Sequence, residues 1–568
     1  MRSASELMFR LRQEAANLWR YATGLPALPS LPPPPAPWRP PAAIALDLHE
    51  DLLQSRFRLF GSPITLGPGF QWRRDPLNGR ETPAVYFRRV PYLDFAQAGD
   101  HKNVWEPNRH QHWVQLAEAF AHTGDRRCLD EIARQWTGWF AQNPWLGGIN
   151  WTSALEVAFR AISWTAVDAF AGAGLGADFR AAFLRALHAH GVYLENNLSV
   201  YFSPNTHLLG EAVALHLLGA LYPSWPRAAR WRSLGAAIVD RHLAEKVRAD
   251  GSYFELSSYY QGYALDFFAL HYHLRGEALP DLVVRMAQFL AAIEGAPPVP
   301  PRLGDDDGGA LYPALPRPRA AAPSVSRLLD PSGLVLMVDG HTRLLVDAGP
   351  FAEGSAGHSH SDCLSLLLSH EGEELLVDAD TFTYVGDLRW REAFRGSAFH
   401  NTVRIAGRDQ AESAGPFRWR NKADVAVTQW LPGAAEDRLT AECRYGGFVH
   451  RRTVVFEKPA SIVVSDEIEG PPGEHLLELF WHCGLTTTAR SESVFETGGR
   501  LRIETSVAAE LQEGGEFGWR STGFGTKRPA PVIVAAGRFQ LPYRLITRMS
   551  LLGMREAPGA PAIIGESR

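Results

Sequence analysis

Residues 296–324 read APPVPPRLGDDDGGALYPALPRPRAAAPS, and the chain changes character across them. So much Pro and Gly lets neither a helix nor a strand run through. Upstream, apolar residues return every three or four positions. In residues 153–170 (SALEVAFRAISWTAVDAF), Leu155, Phe159, Ile162 and Ala166 share one helical face, and Glu156 can pair with Arg160 one turn on. Comparable blocks occupy 110–124, 180–200, 207–222, 230–248, 261–275 and 280–294. Short polar separations and no intervening strands predict helical hairpins layered as an α/α toroid. Downstream the period falls to two. Residues 332–349, 363–380, 400–407, 451–470 and 542–553 are short apolar, β-branched runs between turn residues, which predict an antiparallel β-sandwich of many strands. The expected fold is α+β multidomain: an N-terminal (α/α) toroid over 46–315 followed by a C-terminal antiparallel β-sandwich over 316–568. Residues 1–45 stand apart, as an amphipathic helix over 5–22 and a Pro-rich run, LPSLPPPPAPWRPP at 28–41, that is a linker or a strap across the next domain.

Composition narrows the function classes. With 45% apolar residues among 568, the chain buries real cores and is not disordered. A net charge of −5 argues against a dedicated nucleic-acid binder. Only five of the 57 basic residues are Lys; the Arg excess suits carboxylate and sulfate recognition, and an Arg-rich genome gives the same count. Cys128, Cys363, Cys443 and Cys483 are too scattered for a disulfide framework or a Cys-rich zinc module. No apolar stretch reaches the length of a membrane helix. Arg10, Arg12, Glu14 and Arg20 interrupt the first residues, so no export signal is visible and a cytoplasmic location is expected on sequence.

Four polar spots exceed what packing asks for. Ser203-Pro204-Asn205-Thr206-His207 precedes the apolar run LLGEAVALHLL, where Asn205 or Thr206 can serve simply as an N-cap. Residues 250–260 (DGSYFELSSYY) bring Glu255, Tyr259 and Tyr260 into a turn before a helix. Residues 357–362 (GHSHSD) hold His358 and His360, and with Asp378 and His400 they offer imidazoles and a carboxylate suited to zinc; the bland alternative is a hydrogen-bonded loop. Residues 395–402 (RGSAFHNT) join Arg395, His400 and Asn401 before a strand.

In this order, and with residues 100–109 (DHKNVWEPNR), Asn143-Pro144 and residues 148–151 (GINW), these motifs resemble the heparinase II/III family of polysaccharide lyases over roughly 55–550. The resemblance implies β-elimination on a uronic-acid polysaccharide, an anionic substrate. The C5 proton of a uronate is poorly acidic beside its charged carboxylate. Donors must neutralise that carboxylate, a base removes the proton, and an acid protonates the leaving oxygen. Carried over, Asn205 and His207 correspond to the neutralising pair and Tyr260 to the catalytic tyrosine, with Tyr259 one residue away. His358 corresponds to the second catalytic residue. His360, Asp378 and His400 correspond to a divalent metal site, zinc, that fixes the loop of His358. Arg109, Glu255, Arg395 and His400 are expected near the substrate. The sequence departs from the family where Thr206 separates Asn205 from His207 and where Gln261 follows the tyrosine. Family analogy also implies a periplasmic or secreted enzyme. Glycosaminoglycans are the favoured substrates, with alginate and bacterial exopolysaccharides as alternatives; no membrane partner is expected, and a homo-oligomer stays open.

Two rival readings use the same residues. A glycoside hydrolase would pair Glu255 with Asp305, Asp306 or Asp307. A non-catalytic polysaccharide-binding protein would keep the motifs for fold and metal alone. The basic, aromatic segments Gln71-Trp72-Arg73-Arg74 and Arg418-Trp419-Arg420-Asn421-Lys422 would suit a polyanion or be ordinary surface.

Overall fold

The helices of the first half divide between two environments. Ala154–Ala171, Thr206–Leu221 and Ser258–Leu274 are apolar on nearly every face and almost wholly buried, as inner helices must be. Arg127–Gln142, Ala228–Lys246 and Asp281–Glu294 bury a single stripe. Each inner helix packs on the next: Gln111–Thr123 on Ala154–Ala171, that on Thr206–Leu221, and that on Ser258–Leu274. The others lie outside them, giving the layered ring of an (α/α) toroid. This computed structural model describes residues 3–294, 302–312 and 315–553.

The Pro-rich run crosses the toroid as an extended strap. Arg180 donates to the carbonyl of Pro32 at 2.6 Å and Arg185 to those of Leu25 and Pro26, both at 2.9 Å, while Trp38 is buried in the helical core. Polyproline backbone keeps its carbonyls free, so side chains of the ring can claim them.

The second half is antiparallel throughout. A five-stranded meander (Arg327–Leu329, Leu334–Asp339, Thr342–Asp347, Leu366–His370, Glu373–Leu376) faces an eight-stranded sheet. Glu436–Tyr445, Phe448–Glu457, Ser461–Glu469 and Tyr543–Leu551 run side by side within the larger sheet. A four-stranded sheet of Glu510–Glu513, Pro531–Gln540, Glu474–His482 and Val403–Ile405 completes the sandwich. Ser461–Glu469 alternates buried and half-buried as a one-sided strand should. Leu334–Asp339 does not alternate, for a physical reason. Leu334, Leu336 and Val338 join the helical core while Val335 and Met337 join the sandwich core. The meander is therefore the layer both halves share, and its strands are apolar on both faces.

The expected break at 296–324 is only partly described, since residues 295–301 and 313–314 lie outside the described residues. The part that is described is no solvent-washed linker: Leu303, Asp305, Asp307 and Leu311 are buried between toroid and sandwich. Among the described residues, no helix is long and apolar enough to cross a membrane.

Candidate active site

Asp305 organises the cleft. Its carboxylate is fully buried and accepts from His358 Nδ1 at 3.0 Å, from His360 Nε2 at 3.0 Å and from Arg391 Nη2 at 2.8 Å, with Arg391 Nη1 closer still. Burial alone would raise its pKa, yet the Arg391 guanidinium and these hydrogen bonds hold it well below the usual carboxylate range. The acid therefore stays ionised and holds two imidazoles of the β-half, of which His358 meets the helical half.

His358 meets Tyr260 across the junction. Their rings stack with centroids 3.9 Å apart and planes 25° apart. His358 Nε2 lies 3.4 Å from Glu255 Oε1. Burial lowers the His358 pKa, and the Asp305 hydrogen bond with the Glu255 charge reverses that to a net rise. Tyr260 Oη stands 3.4 Å from Asp307 Oδ2 and 3.4 Å from Tyr384 Oη. Burial first, then the Asp307 charge, push this phenol well above its ordinary 10. Tyr260, and not Tyr259, faces the chemistry, because the Tyr259 hydroxyl donates to the backbone carbonyl of Gly309. The net shift of Tyr260 is upward, the reverse of what a tyrosine base needs.

The start of helix Thr206–Leu221 supplies the next donors. Asn205 caps it, its Oδ1 accepting from His207 N at 3.1 Å, while its Nδ2 donates to Glu255 Oε1 at 3.0 Å. Thr206 donates to Glu255 Oε2 through its amide at 3.2 Å and its hydroxyl at 2.9 Å. The inserted Thr206 is thus a second tether for Glu255, which orders the helix start instead of standing free toward solvent. The half-buried His207 ring has no side-chain hydrogen-bond partner among the described residues; burial pulls its pKa down to about 4, so at neutrality it is a neutral donor.

Arg109 and Arg395 require correction as substrate contacts. Arg109 is buried and grips Glu156 with two 2.8 Å bonds, with Glu106 at 2.9 Å from its remaining nitrogen. Arg395 is fully buried, bonded to Glu392, Ser413 and backbone carbonyls, with its guanidinium 4.1 Å from the Trp419 ring centroid. Neither guanidinium is free to take a sulfate. Trp72 and Trp419 are likewise buried, so the two basic, aromatic segments do not present stacking platforms.

His360, Asp362 and His400 place one ligand atom each within 4.8 Å of one another, all three residues buried. His360 Nδ1 and His400 Nε2 are buried without a hydrogen-bond partner among the described residues, a costly state that an ion would relieve. The set fits a metal, with Asp362 grouped beside the expected His360 and His400 and the expected Asp378 in contact with His400. Asp378 does not complete the group: it bonds His400 Nδ1 at 2.7 Å, behind the imidazole, as carboxylates that orient metal-binding histidines do. His400 belongs to this cluster. Spacing could not separate Asp362 from Asp378, because it does not say which carboxylate stands in front of the ring.

Sequence reasoning missed Lys102, Tyr384 and Arg391 and saw Asp305 and Asp307 only as hydrolase acids. Lys102 is buried and pairs with Asp307 at 3.0 Å. Despite burial, Lys102 and Arg109 hold the Asp307 pKa at about 2. With Asp305 and Asp307 both ionised, neither is the protonated acid that a hydrolase needs.

Two family descriptions match the chain, Heparinase II/III N-terminus over residues 49–278 and Heparinase II/III-like, C-terminal, over residues 321–547. A heparin-sulfate lyase of Bacteroides stercoris is 23% identical over 493 residues, 75% of this chain and 71% of its own. One of Pedobacter heparinus is 24% identical over 423 residues, 65% and 61% of the two chains. A crystal structure of heparinase III superposes with a TM-score of 0.65 at 17% identity, covering 80% of this chain and 77% of that one. With toroid, shared sheet and sandwich each in place and both halves matched, the chain belongs to the heparinase II/III family.

Proposed function

We propose that this protein is a polysaccharide lyase that cleaves a glycosaminoglycan by β-elimination and leaves an unsaturated uronate. The observation that carries this reading is the stack of Tyr260 on His358, which brings two proton-transfer groups from different halves of the fold to one point. Asn205 and His207 would neutralise the uronate carboxylate as neutral donors, lowering the cost of forming the enolate-like species. His358, with Asp305 behind its Nδ1 in the manner of a catalytic Asp–His pair, is assigned as the base at C5. Tyr260, kept protonated by burial and Asp307, is assigned as the acid for the departing oxygen. Glu255 positions Asn205 and Thr206.

Zinc held by His360, Asp362 and His400 would supply a fixed point for the loop carrying His358, with no part in the proton transfers. The heparin-sulfate lyase names of the relatives favour heparan sulfate as substrate. Such polymers lie outside the cell, which favours periplasmic or secreted work. The domain division at 45/46 and 315/316 belongs to the same proposal, supported by the strap and by the buried loop at 302–312.

Absorbance of the unsaturated uronate, followed with heparan sulfate, hyaluronan and chondroitin sulfate in parallel, tests the reading. A rise on heparan sulfate is expected. New reducing ends without absorbance would overturn the lyase, and a rise confined to another polymer would overturn the substrate.

A further inference from the structure

A second group of metal-binding side chains lies in the toroid, in residues the cleft does not use. His49 sits on the helix Leu46–Leu53, just past the strap; Cys128 is in the first turn of Arg127–Gln142; Asp125 is in the loop before it. One atom from each falls within 4.8 Å of the others. His49 Nε2 is 3.3 Å from Cys128 Sγ and 3.8 Å from Asp125 Oδ2. A tetrahedral zinc with bonds of about 2.0–2.3 Å separates its donors by roughly 3.3–3.6 Å, and the two separations from His49 Nε2 already lie near that range, with the third pair within 4.8 Å. We propose that His49, Asp125 and Cys128 form a second site for a borderline-soft divalent cation, zinc, which clamps the end of the strap to the ring.

The surroundings suit that ion. The Asp125 carboxylate is held in place by Arg127: Oδ2, the oxygen that faces His49, accepts from Nη2 at 2.7 Å and from Nε at 3.0 Å, and Oδ1 accepts from the backbone amide at 3.0 Å. Outer partners of this kind orient a ligating carboxylate. Once Cys128 is a thiolate, it, Asp125 and Glu50 bring three negative charges against the single positive charge of Arg127, a balance of −2 that a divalent ion cancels. As the S–Zn bond forms, the Cys128 thiol releases its proton to water. Asp125 is partly exposed, so water can fill the fourth position. Mixed N, O and S donors favour zinc over calcium or magnesium, which prefer oxygen alone.

Cobalt separates this site from the cleft, whose His360, Asp362 and His400 include no thiol. Full-length protein stripped by chelator and titrated with Co²⁺ should develop the intense near-ultraviolet band of thiolate-to-cobalt charge transfer. Cys128→Ser should abolish it and lower bound zinc by about one equivalent per chain. Asp125→Asn, which keeps the thiol, should weaken cobalt binding, and His360→Ala should leave the band in place. Cobalt that binds without the band, or a band that survives Cys128→Ser, would overturn the site. If Cys128→Ser does not fold, an undiminished band and affinity in Asp125→Asn would do the same.

Discussion

At the residue scale, one phenol carries the most exposed claim. Tyr260→Phe keeps the ring on His358 and removes only the proton, so kcat should fall by about 10²–10⁴-fold with substrate binding nearly unchanged. Because burial and Asp307 lift this phenol above 10, the wild-type rate should stay level on the alkaline side up to pH 10. A fall centred between pH 8 and 9 would mean a different acid. The metal group offers a matched pair. Asp362→Asn should lose the ion, whereas Asp378→Asn, acting through His400, should weaken it by about 10–100-fold; metal analysis under graded chelation reads both. These residues also mark how far a sequence reaches. Asn205, His207, Tyr260 and His358 are singled out only by the joint order of their motifs and the family resemblance it carries, since each motif alone also reads as a cap or as packing. Tyr384 and Arg391 are ordinary aromatic and basic residues until the fold sets them beside Tyr260 and Asp305, and a buried Arg109 is indistinguishable in sequence from a free one.

At the scale of elements, the loop before Asn205 hangs on a buried acid. Glu211, on the inner helix Thr206–Leu221, accepts from Ser199 N at 2.7 Å and from Ser199 Oγ at 2.6 Å. Burial lifts its pKa from 4.5 to about 8, and the Ser199 bonds only partly oppose this. The folded state therefore holds a proton that the unfolded chain has released over that window. Stability from this group is complete below pH 4.5 and is lost as pH climbs to about 8. Glu211→Gln should remove that decline, so denaturant midpoints of variant and wild type should diverge steadily between those limits. Parallel curves would show that Glu211 ionises normally. The helices themselves were legible because their 3.6-residue period is set by local burial. The shared meander was legible as strands, but its two-sided burial was not, since the opposing layers come from distant sequence.

At the scale of the molecule, Asp305 ties the halves. Asp305→Ala would leave Arg391 buried without its carboxylate and free both imidazoles, a loss of about 3–5 kcal/mol. Urea unfolding should show it, and Arg391→Met in the same chain should recover part of the loss, because it removes the stranded charge. An unaltered midpoint in Asp305→Ala would place the junction's strength elsewhere, in the apolar faces of the meander. Composition and period were enough to divide the chain in two. They could not show that the acidic run in the Pro- and Gly-rich break is a keystone, because three consecutive acids read at most as hydrolase acids until Arg391, Lys102, His358 and His360 are brought to them.

That placement limits how the protein can be recombined. A chimera that joins this toroid to a relative's sandwich at a convenient proline would separate Asp305 from the histidines and arginine it was selected with. The acidic run has to travel with the sandwich it serves, and Lys102, which answers Asp307, has to be matched from the other parent. In this chain, the unit of exchange is defined by side-chain partners rather than by the visible seam in the chain.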